Sequence, residues 1–175
     1  LDLVAHLTID QVNNLSNGYN VLEGTMNLVQ AMYLNNAVEP FDNELVRQAL
    51  CYAVDVDSML ALTAEGHGTK LGSSMYPAFG KYFDPALAEA YPYDVDKAKE
   101  LLKEAGYENG FSFTITVPSN YQPHVDTAMV LVEQLKAVGI QAQIQQVEWN
   151  TWLTEVYGNR NFETTVCGFD ASTLN

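Results

Sequence analysis

Hydrophobic and polar positions change their period along the chain, and the changes mark out its elements. After Gly110 the stretch "FSFTITV" alternates strictly, with Phe111, Phe113, Ile115 and Val117 on one face, as a half-buried strand does. "IQAQIQQV" alternates again through Ile140, Ala142 and Ile144, and "ETTVCGF" is a third β-prone run. "LDLVAHL" and "LVQAMYLN" are strand candidates in the N-terminal third. Between these lie segments of helical period. Asp42 precedes "NELVRQALCYAV", where Leu45, Ala49 and Tyr52 or Ala53 recur one turn apart. Asp55 suits the cap of "VDSMLALTAEG", which Gly66 or Gly68 would end. The clearest helix is "DVDKAKELLKEAG". Asp94 stands at its N-cap, Val95, Ala98, Leu101, Leu102 and Ala105 form its stripe, and Gly106 supplies a left-handed terminus. A helix from about residue 123 to Val138 turns Ala128, Leu131, Val132 and Leu135 inward and stops at Gly139. A short helix is expected near "NTWLTEVYG".

The order β-α-β-α-β in the second half predicts an α/β fold, a mixed and mostly parallel sheet flanked by helices. With 175 residues and 47% apolar content, residues 1–175 suffice for a single domain with a normal core. One stretch breaks the regularity. "SSMYPAFGKYFDPALAEAYPYD" holds three prolines and six aromatics, and reads as a long loop pinned by aromatic packing.

Charge narrows the function classes. Twenty-two acids stand against eight bases, a net charge of −14, so nucleic acid and anionic membrane surfaces are disfavoured as partners. The two cysteines, Cys51 and Cys167, allow one bridge but no disulfide framework, and each also suits a small buried apolar residue. No stretch is long and apolar enough to span a membrane, and no signal peptide is visible. The opening "LDLVAHL" lacks a methionine, which suggests a processed or excised segment.

Catalytic and metal chemistry find little support. There is no G-x-S-x-G, no phosphate-binding glycine motif, and no metal-type pairing of His6, His67 or His124. No catalytic residue, cofactor or metal is therefore assigned. Asp55 and Asp57 read as helix caps, and Arg47, on a helix among apolar neighbours, reads as the anchor of a nearby loop. Two strand ends stand out. "VPSNYQP" offers Ser119, Asn120 and Tyr121, and "GFDAS" offers Phe169, Asp170 and Ser172, each at the carboxyl end of its strand, where open α/β sheets bind ligands. A turn or cap role for Asp170 is the competing reading.

Three longer stretches resemble the solute-binding proteins of the oligopeptide, dipeptide and nickel ABC importers (family 5). They are "YLNNAVEPFDNELVRQALCYAVDVDSML", "YPYDVDKAKELLKEAGYENGF" and "AVGIQAQIQQVEW". The resemblance implies the second, C-terminal lobe of a two-lobed receptor with a periplasmic-binding-protein type II fold, the first lobe being absent. It implies capture of oligopeptides between closing lobes and delivery to an importer permease, not an enzymatic reaction. An extracytoplasmic location is implied, in the periplasm or at the cell surface, with a lipid anchor conceivable for the full-length protein. In peptide-binding members an aspartate after the matching strand receives the peptide's α-amino group, and the matching position is Asp170. The usual Trp before that acid and Asp-Pro after it are replaced by "CGFDAS", and the arginine that dipeptide-type members carry in the loop matching "VPSNYQP" is missing. A receptor for a nickel chelate or another small solute shares the fold, while an enzyme domain pairing Asp170 with a histidine, or an interaction module without a cleft, are readings of other classes. On the receptor reading, "TTVCGFDASTLN" ends where the chain would turn back toward the hinge.

Overall fold

The computed structural model describes residues 3–5, 7–15 and 18–170. A four-stranded sheet organises it. Strand β1 (Leu28–Leu34) is followed by helices α2 (Glu44–Ala53), α3 (Val56–Ala64) and α4 (Val95–Glu104), after a first short helix α1 (Ile9–Asn13). Then come β2 (Ser112–Pro118), α5 (Gln122–Lys136), β3 (Gln141–Val147), a short helix α6 (Trp149–Thr151) that continues as a π-helical turn over Trp152–Gly158, and β4 (Thr164–Asp170). The spatial order is β1-β4-β2-β3. β2 runs parallel to β3 and to β4, whereas β1 is antiparallel to β4, so the mixed, mostly parallel sheet expected from the period changes is present.

The alternation in β2 sets the layers. Phe113, Ile115 and Val117 point into the main core with Val46, Ala49 and Leu50 of α2, Leu101 and Leu102 of α4, and Leu131 and Leu135 of α5. Among the described residues the opposite face is covered by α6 and its π-helical continuation, where Trp152, Val156 and Cys167 form a small second core. One face of the sheet is thus thickly covered and the other thinly.

Several local expectations hold. Asp94 accepts from Lys97 N at 2.9 Å and caps α4. Asp55 accepts from Ser58 N at 3.0 Å and caps α3, and the bonds from the Ser58 hydroxyl and N–H hold its carboxyl below the ordinary range. Arg47 donates to the carbonyls of Phe41 (2.9 Å) and Asp42 (3.1 Å), anchoring the loop before its own helix.

Other expectations are corrected. The cap of α2 is Asn43, which directly precedes the first helical residue Glu44 and accepts from Leu45 N at 2.9 Å. Helix α3 ends on Glu65, itself left-handed at φ 46°, with Gly66 following at φ 84°. In "LDLVAHL" the described residues form no strand, and the first element is α1, closed by a capping box between Thr8 and Gln11. The proline-rich loop contains two 3₁₀ segments, Pro77–Tyr82 and Pro85–Glu89, and its rings do pack: Tyr76 on Phe79 at 4.6 Å and Tyr91 on Tyr52 at 5.3 Å. Cys51 and Cys167 are both free thiols. Cys51 is exposed on α2, while burial pushes the Cys167 thiol up to about 11.

Candidate functional site

Three parallel strands deliver their carboxyl ends to one edge of the sheet. Pro118 leads into Ser119–Tyr121, Val147 leads into α6, and β4 ends at Asp170. Along β4 burial fades: Thr164 to Cys167 are buried, and Phe169 and Asp170 are exposed. Thr116 lies beside Thr165. Carried forward at that register, β4 outruns β2 by three residues, about 10 Å at ~3.3 Å per residue. It remains paired with β1 throughout, Asp170 opposite Leu28. The projecting end is a two-stranded tongue, and its acid stands in solvent.

Strand alternation then separates neighbours in sequence. Thr165 and Cys167 face the small tryptophan-side core, and Phe169 follows them onto that side. Val166 faces α5 and the main core, so Gly168 and Asp170 share the α5 side. Phe169 and Asp170 therefore leave the strand in opposite directions.

A row of rings runs around this edge. Tyr33 meets Phe169 edge-on at 5.2 Å, and Phe169 lies 6.2 Å from Tyr157. Tyr157 stacks on Trp152 at 6.1 Å, and Trp152 on Trp149 at 5.4 Å and only 5° from parallel. Trp149 meets Tyr121 edge-on at 5.3 Å, and Tyr121 stacks on His124 at 5.3 Å. His124 Nδ1 is 2.6 Å from Gln30 Oε1, and the same glutamine reaches Thr127 Oγ1 at 2.6 Å. The row thus begins on β1, passes every strand end and returns to β1 on the other face.

Hydrogen bonds fasten the row where it is buried. Trp152 Nε1 donates to Thr165 Oγ1 at 3.0 Å, and that hydroxyl donates to the Thr116 carbonyl at 2.6 Å. Glu148 caps α6 through Asn150 N at 2.9 Å. His124 is half-buried, and desolvation lowers its pKa, which keeps the ring neutral at neutral pH. On the thinly covered face Tyr33, Asn35, Trp152, Tyr157, Arg160 and Phe169 border an open groove of about 700 Å³.

Over residues 1–175 the chain matches the family of bacterial extracellular solute-binding proteins, family 5, middle region. It belongs to that family. The chain is 35% identical over 147 residues to the glutathione-binding protein GsiB of Escherichia coli K12, covering 80% of this chain and 28% of that protein. Among solved structures it is similar to a dipeptide-binding protein from Pseudoalteromonas sp. SM9913 in complex with Met-Leu. That match has a TM-score of 0.84 and 30% identity, and covers 99% of this chain and 35% of the other. It is also similar to the periplasmic binding protein DppA from Helicobacter pylori in complex with the peptide STSA. There the TM-score is 0.75 and the identity 32%, covering 85% of this chain and 28% of that one. The chain therefore spans under a third of the length of the curated relatives it matches. Its fold is that of type II periplasmic binding proteins, and the family is one of transport receptors rather than enzymes.

For a family 5 chain, the positions of the sequence-derived candidates are informative. Ser119, Asn120 and Tyr121 form the exposed turn after β2, with Ser119 N donating to the Val147 carbonyl at 2.8 Å, so this turn abuts the end of β3. Tyr121 and Phe169 are joined through Trp149, Trp152 and Tyr157. Asp170 stands apart from Phe169, on the His124 side. Ser172 lies outside the described residues. Sequence reasoning missed Trp149, Trp152, His124 and Gln30. The two tryptophans carried a usable signal, an i, i+3 pair opening the helix after β3. Gln30 and His124 lie 94 residues apart and carried none.

Proposed function

We propose that this chain is the second lobe of a two-lobed ABC-importer receptor that captures oligopeptides between closing lobes and hands them to a membrane permease. The proposal extends to an extracytoplasmic site of action. The observation that carries it is the exit of β4, four buried residues followed by an exposed carboxylate at the rim of the parallel strand ends. Family relatives solved with peptides support the substrate class.

Asp170 is the proposed anchor for the ligand's α-ammonium group. A carboxylate on a rim meets little desolvation cost while open, and once a second lobe closes over it the ammonium contact becomes a charge-assisted hydrogen bond in a water-poor cleft. Such an anchor is indifferent to side chains, which suits a receptor for varied peptides. Ser119, Asn120, Tyr121, Phe169 and Ser172 are the proposed accessory contacts.

The test uses the full-length protein. Asp170→Asn is expected to weaken peptides with a free amino terminus by about tenfold to a hundredfold, the range for losing a hydrogen bond to a charged group. N-acetylated versions of the same peptides should be unaffected. Titration calorimetry reads both, and an equal loss for the two sets would reject the anchor.

A further inference from the structure

The turn after β2 presents a fixed aromatic face. Tyr121 stands at the start of α5 with 43% of its surface exposed, its ring stacked on His124 and in a T-shaped contact with Trp149. His124 is itself held by Gln30, and Gln30 by Thr127, so the support beneath the tyrosine is tied to both β1 and α5. A ring held by two neighbouring rings offers its exposed surface without having to be ordered on binding.

The face lies near Asp170. Gln30 is the cross-strand partner of Gly168, and Asp170 is the next residue on the same side of β4. One step of about 7 Å along the strand separates the Gly168 and Asp170 positions. The π face and the carboxylate thus share one side of the sheet edge, with His124 and Gln30 between them.

The segments at the strand ends are acidic, and Arg160 borders the groove on the opposite, thinly covered face. Residues 118–122, 147–158 and 166–170 contain no lysine or arginine but do contain Glu148, Glu155 and Asp170. Burial keeps His124 uncharged at neutral pH, so the imidazole under Tyr121 does not oppose a positive charge above it. A cation over an aromatic ring is attracted by the ring quadrupole, whereas a carboxylate would meet that ring and the Asp170 carboxylate on the same side.

We infer that Tyr121 is a specificity-determining residue of this lobe, its exposed ring surface receiving a cationic side chain of a peptide whose ammonium group lies at Asp170. The inference rests on the peptide-receptor reading and refines it: the preferred solutes are basic peptides, and acidic ones are disfavoured. The ring accounts for about three- to thirtyfold of the preference, the range for cation–π contacts from exposed to desolvated.

The decisive measurement is titration of ligand-free, full-length protein with the tripeptides Ala-Arg-Ala, Ala-Leu-Ala and Ala-Glu-Ala. The arginyl peptide is expected to bind tightest and the glutamyl peptide weakest. Tyr121→Leu should lower the arginyl peptide to the level of the leucyl one and leave the leucyl peptide within about twofold, while Tyr121→Phe retains the wild-type order. Equal binding of the three, or tightest binding of the leucyl or glutamyl peptide, overturns the aromatic shelf and leaves the peptide reading standing. Equal weakening of all three by Tyr121→Leu also overturns it, since a collapsed turn would act that way. Should that variant not fold, the wild-type order and Tyr121→Phe decide the matter. Binding of none of the three overturns the peptide reading and the shelf together.

Discussion

Thr165 joins the two layers of the sheet edge through a single hydroxyl. It accepts from the buried Trp152 indole at 3.0 Å and donates to the Thr116 carbonyl at 2.6 Å. The Thr164 hydroxyl donates to the Thr114 carbonyl at 3.0 Å. These side chains fasten β4 to β2 where backbone register pairs number only two. Thr165→Val keeps the shape but leaves the Trp152 N–H buried without an acceptor. A loss of about 1–3 kcal/mol is expected, read as a lower urea midpoint by tryptophan fluorescence. An unchanged midpoint would mean that the indole finds another partner. At the same scale, Asp170 and Phe169 demonstrate how one residue of offset decides the surroundings of a strand side chain, because the pleat sends adjacent positions to opposite faces.

The parallel strands β2 and β3 are aligned by the two glycine turns that precede them. Gly110 has φ 73°, and a β-carbon there would come within 1.9 Å of the Gly139 carbonyl oxygen. Gly139 has φ 82°, but its own β-carbon would find only contacts at 3.9 Å. The first position needs glycine for conformation and for space, the second for conformation alone. Gly110→Ala is expected to cost more than about 2 kcal/mol and Gly139→Ala about 1 kcal/mol, with thermal melting giving the order. Equal shifts would refute the close approach of the turns. Helices α4 and α5 need no such device. Their apolar stripes are continuous, and Leu101, Leu102, Leu131 and Leu135 bury against the same core.

Across the whole molecule, a net charge of −14 opposes compaction. Screening by salt relieves repulsion between surface carboxylates, so the melting temperature is expected to rise from about 0.02 M to about 0.5 M sodium chloride, as the Debye length shrinks from roughly 20 Å to a few ångströms. A fall over that range would show that ion pairs such as Lys136–Glu133, at 2.6 Å, outweigh the repulsion. The same acidity gives the strand-end edge its sign. The thick helical layer lies on one side of the sheet and the thin layer of α6 on the other, and the aromatic row crosses between them at that edge.

Local pattern alone was enough for β2, β3, α4 and α5, because each carries its own period and its own stop signal, and for the family, because its motifs are contiguous. The strand ends stood out in the sequence as candidate ligand positions for the same reason. Pairing was not legible. That β1 lies antiparallel beside β4 and that Gln30 supports His124 under Tyr121 both depend on partners far away in sequence. Periodicity tells a residue which face it shares with its neighbours. Only the folded chain determines what stands across from that face, since hydrogen bonds and ring contacts are made between segments whose separation leaves no mark on either one.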